Sequence, residues 1–99
     1  MNTLSVSGYT FSGPYDPNKG FTNVIAAVYV IVDDQARVID VGQTDDLNNR
    51  FPNHPRQNCW NYYKTGNISL YILKVGSEQV RRGIESKIRA ELNPPCGEK

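Results

Sequence analysis

The sequence predicts a small α/β (α+β) domain whose elements follow in the order β-β-α-(α)-β-α. Two apolar segments, residues 24–32 and 68–75, are rich in Val, Ile and Leu and have the composition of strands. A third segment, residues 80–92, carries apolar side chains at helical spacing. The chain has 99 residues, which is enough for a single domain with one core.

The first strand and the segment after it predict a β-hairpin. Residues 24–32 are almost wholly apolar, which is typical of a buried central strand. The polar residues 33–35 supply a turn, and residues 37–41 predict the second strand.

The register of this hairpin decides which side chains meet. If Val32 faces Arg37 across the turn, Tyr29 lies directly opposite Asp40, with the two Cβ atoms about 5 Å apart. That register places both side chains in one site, whereas a slip of one residue sends them to opposite faces.

A short helix is predicted after the hairpin. Thr44 or Asp45 can cap it, because their side-chain oxygens accept free backbone N–H groups of the first turn. Residues 47–51 carry its apolar positions. Pro52 lacks an N–H and ends the helix, so His54 is expected on the loop that follows.

Two further helical segments complete the predicted order. Residues 58–64 predict one or two helical turns that stop at Gly66. Ser77 is the expected cap of the last helix, which ends before two prolines. Its predicted apolar stripe consists of Val80, Ile84, Ile88 and Leu92.

The N-terminal segment, residues 1–23, predicts an irregular arm of the same domain. It is rich in Ser, Gly, Thr, Asn and Pro, and aromatic residues recur in it at Tyr9, Phe11, Tyr15 and Phe21. We therefore divide the chain into this arm and a folded part, residues 24–99.

Composition argues against a membrane protein and favours a cytoplasmic one. No segment approaches the roughly 18 consecutive apolar residues that span a bilayer, and the N-terminus lacks the layout of a signal peptide. Cys59 and Cys96 have no CxxC spacing, so reduced thiols are expected. A zinc site formed with His54 has suitable ligand types, although it lacks a fourth ligand.

Charge is distributed unevenly along the chain. The net charge is +1, but residues 1–49 hold two basic and six acidic side chains, whereas residues 50–99 hold nine basic and four acidic ones. A basic half would attract phosphate groups while the acidic half supplies ligands for a cation. An ordinary solvated surface would also account for this asymmetry.

Glu85 is the first candidate for chemistry. It follows Ile84 and therefore lies about 100° around the helix from the buried stripe, where a carboxylate can face a cleft. Carboxylate oxygens suit Mg²⁺ or Mn²⁺, whose retained waters include a candidate nucleophile. The structural alternative is an i,i+4 ion pair with Arg81 or Arg89.

Three more residues are candidates. The planar guanidinium of Arg50 matches two phosphate oxygens, and the alternative is a surface pair with Asp46. Tyr29 is a candidate active-site phenol or a core residue with a hydrogen-bonded hydroxyl. His54 is a candidate proton shuttle or phosphate contact, or an ordinary loop imidazole.

Taken in order, these residues resemble a known pattern. The series consists of Ala27-Val28-Tyr29, Asp40-Val41-Gly42-Gln43-Thr44, Arg50, His54 and Glu85. It resembles the GIY-YIG nuclease domain, whose pattern reads Gly-Ile-Tyr, a turn, Tyr-Ile-Gly, a helical Arg and a later helical Glu. The resemblance extends over residues 24–97 and also includes the Asn-Pro-Pro-Cys-Gly sequence near the C-terminus.

The resemblance implies a mixed three-stranded antiparallel sheet flanked by helices, and an endonuclease that cuts phosphodiester bonds of DNA with Mg²⁺ or Mn²⁺. By this pattern Glu85 binds the metal and Arg50 stabilises the phosphate in the transition state. Tyr29 positions or deprotonates water, and His54 assists proton transfer. DNA is favoured over RNA, and a homodimer or a partner protein would allow a double-strand cut.

Two positions depart from the pattern. Ala27 replaces the glycine, which a strand can absorb. Asp40 replaces the second tyrosine, and a carboxylate with a pKa of about 3.9 is ionised where a phenol with a pKa of about 10 would donate a hydrogen bond. Either Asp40 joins Glu85 as a second metal ligand or as a base, which we favour, or the site has lost cleavage and retains binding.

Two other classes of function remain open. The first is a catalytically inactive nucleic-acid-binding module, in which basic side chains contact phosphates and Trp60 stacks on a base. The second is a protein-interaction domain that uses the N-terminal aromatic residues. The basic residues predicted to contact nucleic acid are Arg56, Lys64, Arg81, Arg82 and Arg89.

Overall fold

The computed structural model describes residues 2–97 and contains one five-stranded antiparallel sheet with helices on both faces. The strands are β1 (Asn2–Val6), β2 (Tyr9–Tyr15), β3 (Ala27–Asp33), β4 (Val38–Thr44) and β5 (Ile68–Lys74). They lie in the order β1-β2-β5-β3-β4, so that β5 is the middle strand, β3 is an interior strand and β4 is an edge strand. The α+β class and the mixed order of strands and helices are confirmed.

The sheet has two more strands than the three expected. Both come from the N-terminal segment, residues 1–23, for which we predicted an irregular arm. Along β2, side chains alternate between buried or half-buried and exposed, and Phe11 is fully buried. Gly13 lets this strand pass close to β5, because a Cβ there would overlap the Leu70 carbonyl and the Tyr71 ring. The strand pattern was hidden by its small and polar residues.

The helices are α1 (Leu47–Arg50), α2 (Gln57–Tyr63) and α3 (Glu78–Leu92). Asp46 caps α1 by accepting a hydrogen bond from the Asn48 N–H at 3.0 Å, so neither of the two predicted caps is correct. Ser77 caps α3 as predicted and accepts from the Val80 N–H at 3.3 Å. Helix α3 ends at Asn93, which adopts a left-handed conformation.

The register of the β3–β4 hairpin differs from the predicted one. Tyr29 pairs with Gly42, and Asp40 pairs with Ile31. Two shifts of one residue account for the difference: Val32 pairs with Val38 rather than with Arg37, and a β-bulge leaves Ile39 out of the pairing between β3 and β4. Since residues 29 and 31 point to the same face of β3, Tyr29 and Asp40 still share a face, but they are diagonal rather than opposite.

Two apolar clusters hold the helices against the sheet. On one face, α1, α2 and the C-terminal segment pack on Ala27, Tyr29, Ile31, Leu70 and Ile72. On the other face, α3 packs on Val28, Val30, Val32, Val41, Val6 and Phe11. Because successive residues of β3 serve alternate faces and both faces are covered, all seven of its residues are buried.

Helix α3 is rotated relative to its predicted apolar stripe. Val80 and Leu92 are 51% and 45% exposed, while Arg81 is only 3% exposed. Ile84 and Ile88 are buried as predicted. Glu85 lies at the boundary of the buried face, where the sequence placed it.

A disulfide bond joins Cys59 on α2 to Cys96 in the C-terminal segment. The expectation of two reduced thiols is therefore wrong, since the fold brings residues separated by 37 positions to a Cα distance of 5.9 Å. The same bond removes both thiolates from the zinc site that the sequence left open. Cytoplasmic localisation stays a prediction.

None of the helices within residues 2–97 is long and apolar enough to cross a membrane.

The disulfide predicts a loss of stability on its removal. Replacing both cysteines (Cys59→Ser with Cys96→Ser) should lower the free energy of unfolding by about 3–4 kcal/mol, because the bond closes a long loop in the unfolded chain. Urea denaturation followed by tryptophan fluorescence measures this difference. A reducing agent should produce the same loss in the wild-type protein and none in the double variant. Equal denaturation midpoints for the two proteins would contradict the prediction.

Candidate functional site

A cleft of about 330 Å³ opens beside the edge strand β4, where the helices of the two sheet faces approach each other. Three residues that the sequence singled out, Tyr29, Arg50 and Glu85, line this cleft together, although the Tyr29 side chain is itself fully buried. They come from β3, α1 and α3, so only the folded domain assembles them. The other lining residues are Gly42, Gln43, Arg56, Arg82 and Arg89.

The position of the Tyr29 hydroxyl depends on Gly42. The ring of Tyr29 lies across its pairing partner on β4, and a Cβ on Gly42 would overlap the hydroxyl oxygen. Any side chain at this position would therefore displace the phenol from the cleft. Close approach of a neighbouring side chain, rather than an unusual backbone conformation, accounts for this glycine.

His54 forms a hydrogen bond with the Tyr29 hydroxyl. Its Nε2 atom lies 2.6 Å from the phenol oxygen, and its Nδ1 atom accepts a hydrogen bond from the Arg56 backbone N–H at 3.1 Å. Because Nδ1 is an acceptor, the proton of the neutral imidazole is on Nε2, which donates to Tyr29. The phenol keeps its own proton free to donate elsewhere. His54 is 3% exposed and is not among the residues that line the cleft.

Burial sets the protonation state of both groups. Desolvation lowers the pKa of His54 from 6.5 to about 4, with a smaller contribution from the charge of Arg56. Desolvation also raises the pKa of Tyr29 to about 12, against the opposing effect of Arg56 and Arg50. At neutral pH the pair therefore consists of a neutral imidazole and a protonated phenol.

Asp40 does not face the cleft. Its side chain is fully buried, and its Oδ2 atom accepts hydrogen bonds from Arg56 Nε at 2.6 Å and from Trp60 Nε1 at 2.8 Å. Its Oδ1 atom lies 3.4 Å from Arg89 Nη2. A carboxylate buried in this way needs such donors to offset its lost hydration. The prediction that Asp40 joins Glu85 as a metal ligand or acts as a base is therefore wrong.

Arg89 connects this buried carboxylate to the wall of the cleft. Its guanidinium donates to the carbonyl oxygens of Val41 and Cys96 and lies 3.4 Å from Glu85 Oε2. The i,i+4 pair of Glu85 with Arg89, which the sequence offered as the structural alternative, is present. Glu85 nonetheless lines the cleft, so the pair and the exposure to the cleft coexist.

Arg50 is the guanidinium of the cleft that remains available. It is half-buried, and among residues 2–97 it has no hydrogen bond or ion pair. The surface pair with Asp46 does not form. Arg82 is exposed and pairs weakly with Glu78, one turn earlier on the same face of α3, at 3.6 Å. Four arginines and one glutamate thus line the cleft, which favours an anion.

Within residues 2–97, no group of three or more histidine, cysteine or acidic side chains is arranged to hold a metal ion. The carboxylate that the cleft offers is that of Glu85. Magnesium commonly binds proteins through one or two carboxylates and keeps several waters. A single protein ligand is therefore compatible with the chemistry of this ion when a substrate phosphate supplies others.

The remaining residues predicted to bind nucleic acid are divided between cleft and interior. Trp60 is fully buried and cannot stack on an exposed base, which corrects that prediction. Arg81 is also buried. Its guanidinium donates to the Gln43 side chain at 3.0 Å and to the carbonyls of Val75 and Gly76 at 2.9 Å. Lys64 is exposed but lies outside the cleft.

Sequence reasoning missed the structural role of Arg56 and the place of Gln43 in the wall. A buried aspartate in an apolar strand needs a nearby cation to offset its lost hydration, and Arg56 supplies that cation. Gln43 follows Gly42 at the end of the strand and is held by Arg81.

No family model, curated protein or solved structure matches this chain.

The contact between Gly42 and Tyr29 predicts a site-specific defect. Gly42→Ala should lower the free energy of unfolding by about 1–3 kcal/mol, because the added methyl group overlaps the phenol hydroxyl in a packed region. Gly83→Ala is the matched control: it lies in α3 with open space around it and should stabilise the protein by about 0.5–1 kcal/mol. Chemical denaturation of both variants measures the contrast. Equal effects of the two substitutions would show that Gly42 is not constrained by Tyr29.

Burial of His54 predicts a dependence of stability on pH. Between pH 6.5 and about 4 the unfolded chain binds a proton at this histidine that the folded protein does not. The free energy of unfolding should therefore fall as the pH decreases through this window, by at most about 3 kcal/mol, and the contribution is fully present above pH 6.5.

Comparison with His54→Gln isolates this contribution, since glutamine keeps a hydrogen-bond donor and does not titrate. Urea denaturation at pH 7, 5.5 and 4.5 should show a steeper decline for the wild-type protein than for the variant. Parallel declines would mean that the pKa of His54 is the same in the folded and the unfolded state.

Proposed function

We propose that this chain is a GIY-YIG-like domain that binds DNA and hydrolyses its phosphodiester bonds with one divalent metal ion. The observation that carries the proposal is the convergence of Tyr29, Arg50 and Glu85 in one cleft, with His54 bonded to the phenol. These side chains come from separate elements and meet in the manner that the resemblance of the sequence implies.

In this proposal the unpaired guanidinium of Arg50 binds the phosphate. Arg50 has no protein partner within residues 2–97, so its five N–H donors are available to the oxygens of a phosphodiester. Arg82 adds a second positive charge at the rim of the cleft. In the transition state of phosphoryl transfer, such fixed donors stabilise the charge on the non-bridging oxygens.

Tyr29 acts as a hydrogen-bond donor in this scheme. With its pKa raised to about 12, mainly by desolvation, the phenol is protonated at neutral pH and is not a base in the free protein. Its oxygen accepts from His54 Nε2–H, so its own proton would be available to a phosphate oxygen that enters the cleft far enough to reach this fully buried ring. His54 orients the phenol and would stabilise negative charge that develops on it.

The ion would be held by Glu85, with waters and substrate oxygens as its other ligands. When bound, Mg²⁺ or Mn²⁺ supplies a Lewis acid and lowers the pKa of a coordinated water. The negative charge of the substrate phosphate offsets the repulsion between the ion and the arginines of the cleft. We therefore expect the affinity for metal to be higher in the presence of DNA.

Asp40 takes a different role from the tyrosine that it replaces. It binds Arg56 and Arg89 and thereby holds two guanidinium groups against the wall of the cleft. The wall consequently offers positive charge rather than the negative charge of a free carboxylate. This arrangement removes the electrostatic objection that the substitution raises in the sequence.

Binding of DNA without cleavage is the second candidate function. The observation that favours it is the contact between Glu85 and Arg89 at 3.4 Å, since an ion-paired carboxylate is a weaker ligand for a metal ion. An interaction domain built on the N-terminal aromatic residues receives less support, because Phe11 is fully buried and the other three are half-buried.

Metal-dependent nicking of DNA tests the proposal. Purified protein should convert supercoiled plasmid to the nicked form with Mg²⁺ or Mn²⁺ and not with EDTA. Glu85→Gln should abolish nicking because it removes the charged ligand of the metal ion, and Arg50→Ala should slow it by about 10²- to 10³-fold because it removes a charge that acts on the phosphate. Glu91→Gln, an exposed position of the same helix, is the matched control and should retain full activity.

The two candidate functions give different results in this assay. Salt-dependent binding of DNA by the wild-type protein, without nicking under either metal, would favour the binding module. Nicking that survives Glu85→Gln would come from another source and would refute the assignment. The same assay with RNA tests the preference for DNA, and sedimentation tests for the dimer that a double-strand cut would require.

A further inference from the structure

A second depression, larger than the cleft, lies on the other side of α2. Its volume is about 410 Å³, which is within the range of about 300–1,000 Å³ for ligand-binding pockets. One face of α2 forms a wall of this groove through Gln57, Asn61 and Lys64, whose spacing places them on one side of a helix. The end of β2 and the start of β5 form the opposite wall.

Side chains that carry amide groups predominate in this groove, which we call the amide groove. Asn18, Asn61 and Asn67 are exposed, and within residues 2–97 their side-chain amides have no hydrogen-bond partner, whereas the backbone N–H groups of Asn18 and Asn67 donate to aspartates. Gln57 also lines the groove, and its amide donates to the Pro52 carbonyl. The charges of Asp16 and Lys64 offset each other, so the groove suits a neutral ligand rich in both donors and acceptors.

A nucleobase has this character. Asn and Gln side chains carry a donor and an acceptor side by side, and they can form paired hydrogen bonds with the edge of a base. In a duplex the edges used for base pairing are occupied, whereas an unpaired base exposes them. A groove lined by several amides therefore favours an unpaired base over a paired one.

The groove and the cleft share one end of α2. Arg56 lines the cleft, and the next residue, Gln57, lines the groove, so the two sites adjoin at the start of this helix. Consecutive Cα atoms are only about 3.8 Å apart. If the DNA strand follows this shared boundary, a phosphate in the cleft and a base in the groove can belong to the same strand.

We propose that the amide groove binds an unpaired nucleobase of the strand whose phosphate occupies the cleft, so that the substrate class is DNA with a gap, bulge or single-stranded end. This inference rests on the proposed function of the cleft. In this proposal the groove selects the substrate. The arginines of the cleft contribute binding that does not depend on base pairing.

Fluorescence anisotropy in EDTA tests the proposal without cleavage. The probes are a labelled 20-base-pair duplex and the same duplex with a three-nucleotide gap. The wild-type protein should bind the gapped probe about tenfold more tightly, and Asn61→Ala should weaken that binding about fivefold while leaving the duplex unaffected. Asn58→Ala is the matched control, because it removes an exposed amide of α2 outside the groove.

The groove and the cleft can fail separately in this experiment. Equal binding of the two probes by the wild-type protein, or an unchanged preference for the gapped probe in Asn61→Ala, would overturn the groove assignment. If Arg50→Ala then weakened the binding of both probes, the cleft assignment would remain in place. Conversely, a gap preference that depends on Asn61 but not on Arg50 would retain the groove and overturn phosphate binding in the cleft. Because Asn61 is exposed, the variant should unfold at the wild-type temperature, which circular dichroism checks.

Discussion

The buried carboxylate of Asp40 is the constraint on which the arrangement of the cleft depends. Its oxygens meet the Arg56 guanidinium, the Trp60 indole and the Arg89 guanidinium, which belong to the start of α2, to α2 itself and to α3. An unpaired charge at this depth would cost several kcal/mol, so these donors must remain close together in the folded state. The strand edge and the helices on both faces of the sheet are held together at this point.

The two carboxylates near the cleft differ in their surroundings. Asp40 neutralises part of the charge of Arg56 and Arg89 from inside the protein, whereas Glu85 meets Arg89 from the cleft. Arg50 keeps its full charge for a ligand. The site therefore separates a structural carboxylate, which is fully buried, from a half-buried one that can exchange partners.

Strong apolar patterns made much of the fold predictable. The bounds of β3, β5 and α3 were predicted within a few residues, because the Val, Ile and Leu residues of these segments indicate burial. The hairpin of β1 and β2 was missed because Thr, Ser and Gly occupy many of its positions, and pairing with β5 supplies the order that its composition lacks.

Three members of the candidate site were predictable, whereas the burial of Asp40 and Trp60 and the detailed contacts were not. Tyr29, Arg50 and Glu85 were identified from their order in the chain, and the fold brings them together. The depth of Asp40 was not predictable, because its donors lie 16, 20 and 49 positions away in the sequence. The bulge in β4 likewise depends on tertiary contacts, among them the hydrogen bond from the Cys96 N–H to the Ile39 carbonyl at 3.0 Å.

That contact has a consequence for the two borders of the sheet. The carbonyls of Ile39 and Val41 on β4 are occupied by Cys96 and Arg89, so this border is closed to lateral pairing at these positions. At the other end of the strand order, β1 pairs only with β2 among the described residues. Growth of the sheet by a strand from a neighbouring molecule is thereby directed to β1, which contributes no residue to the cleft.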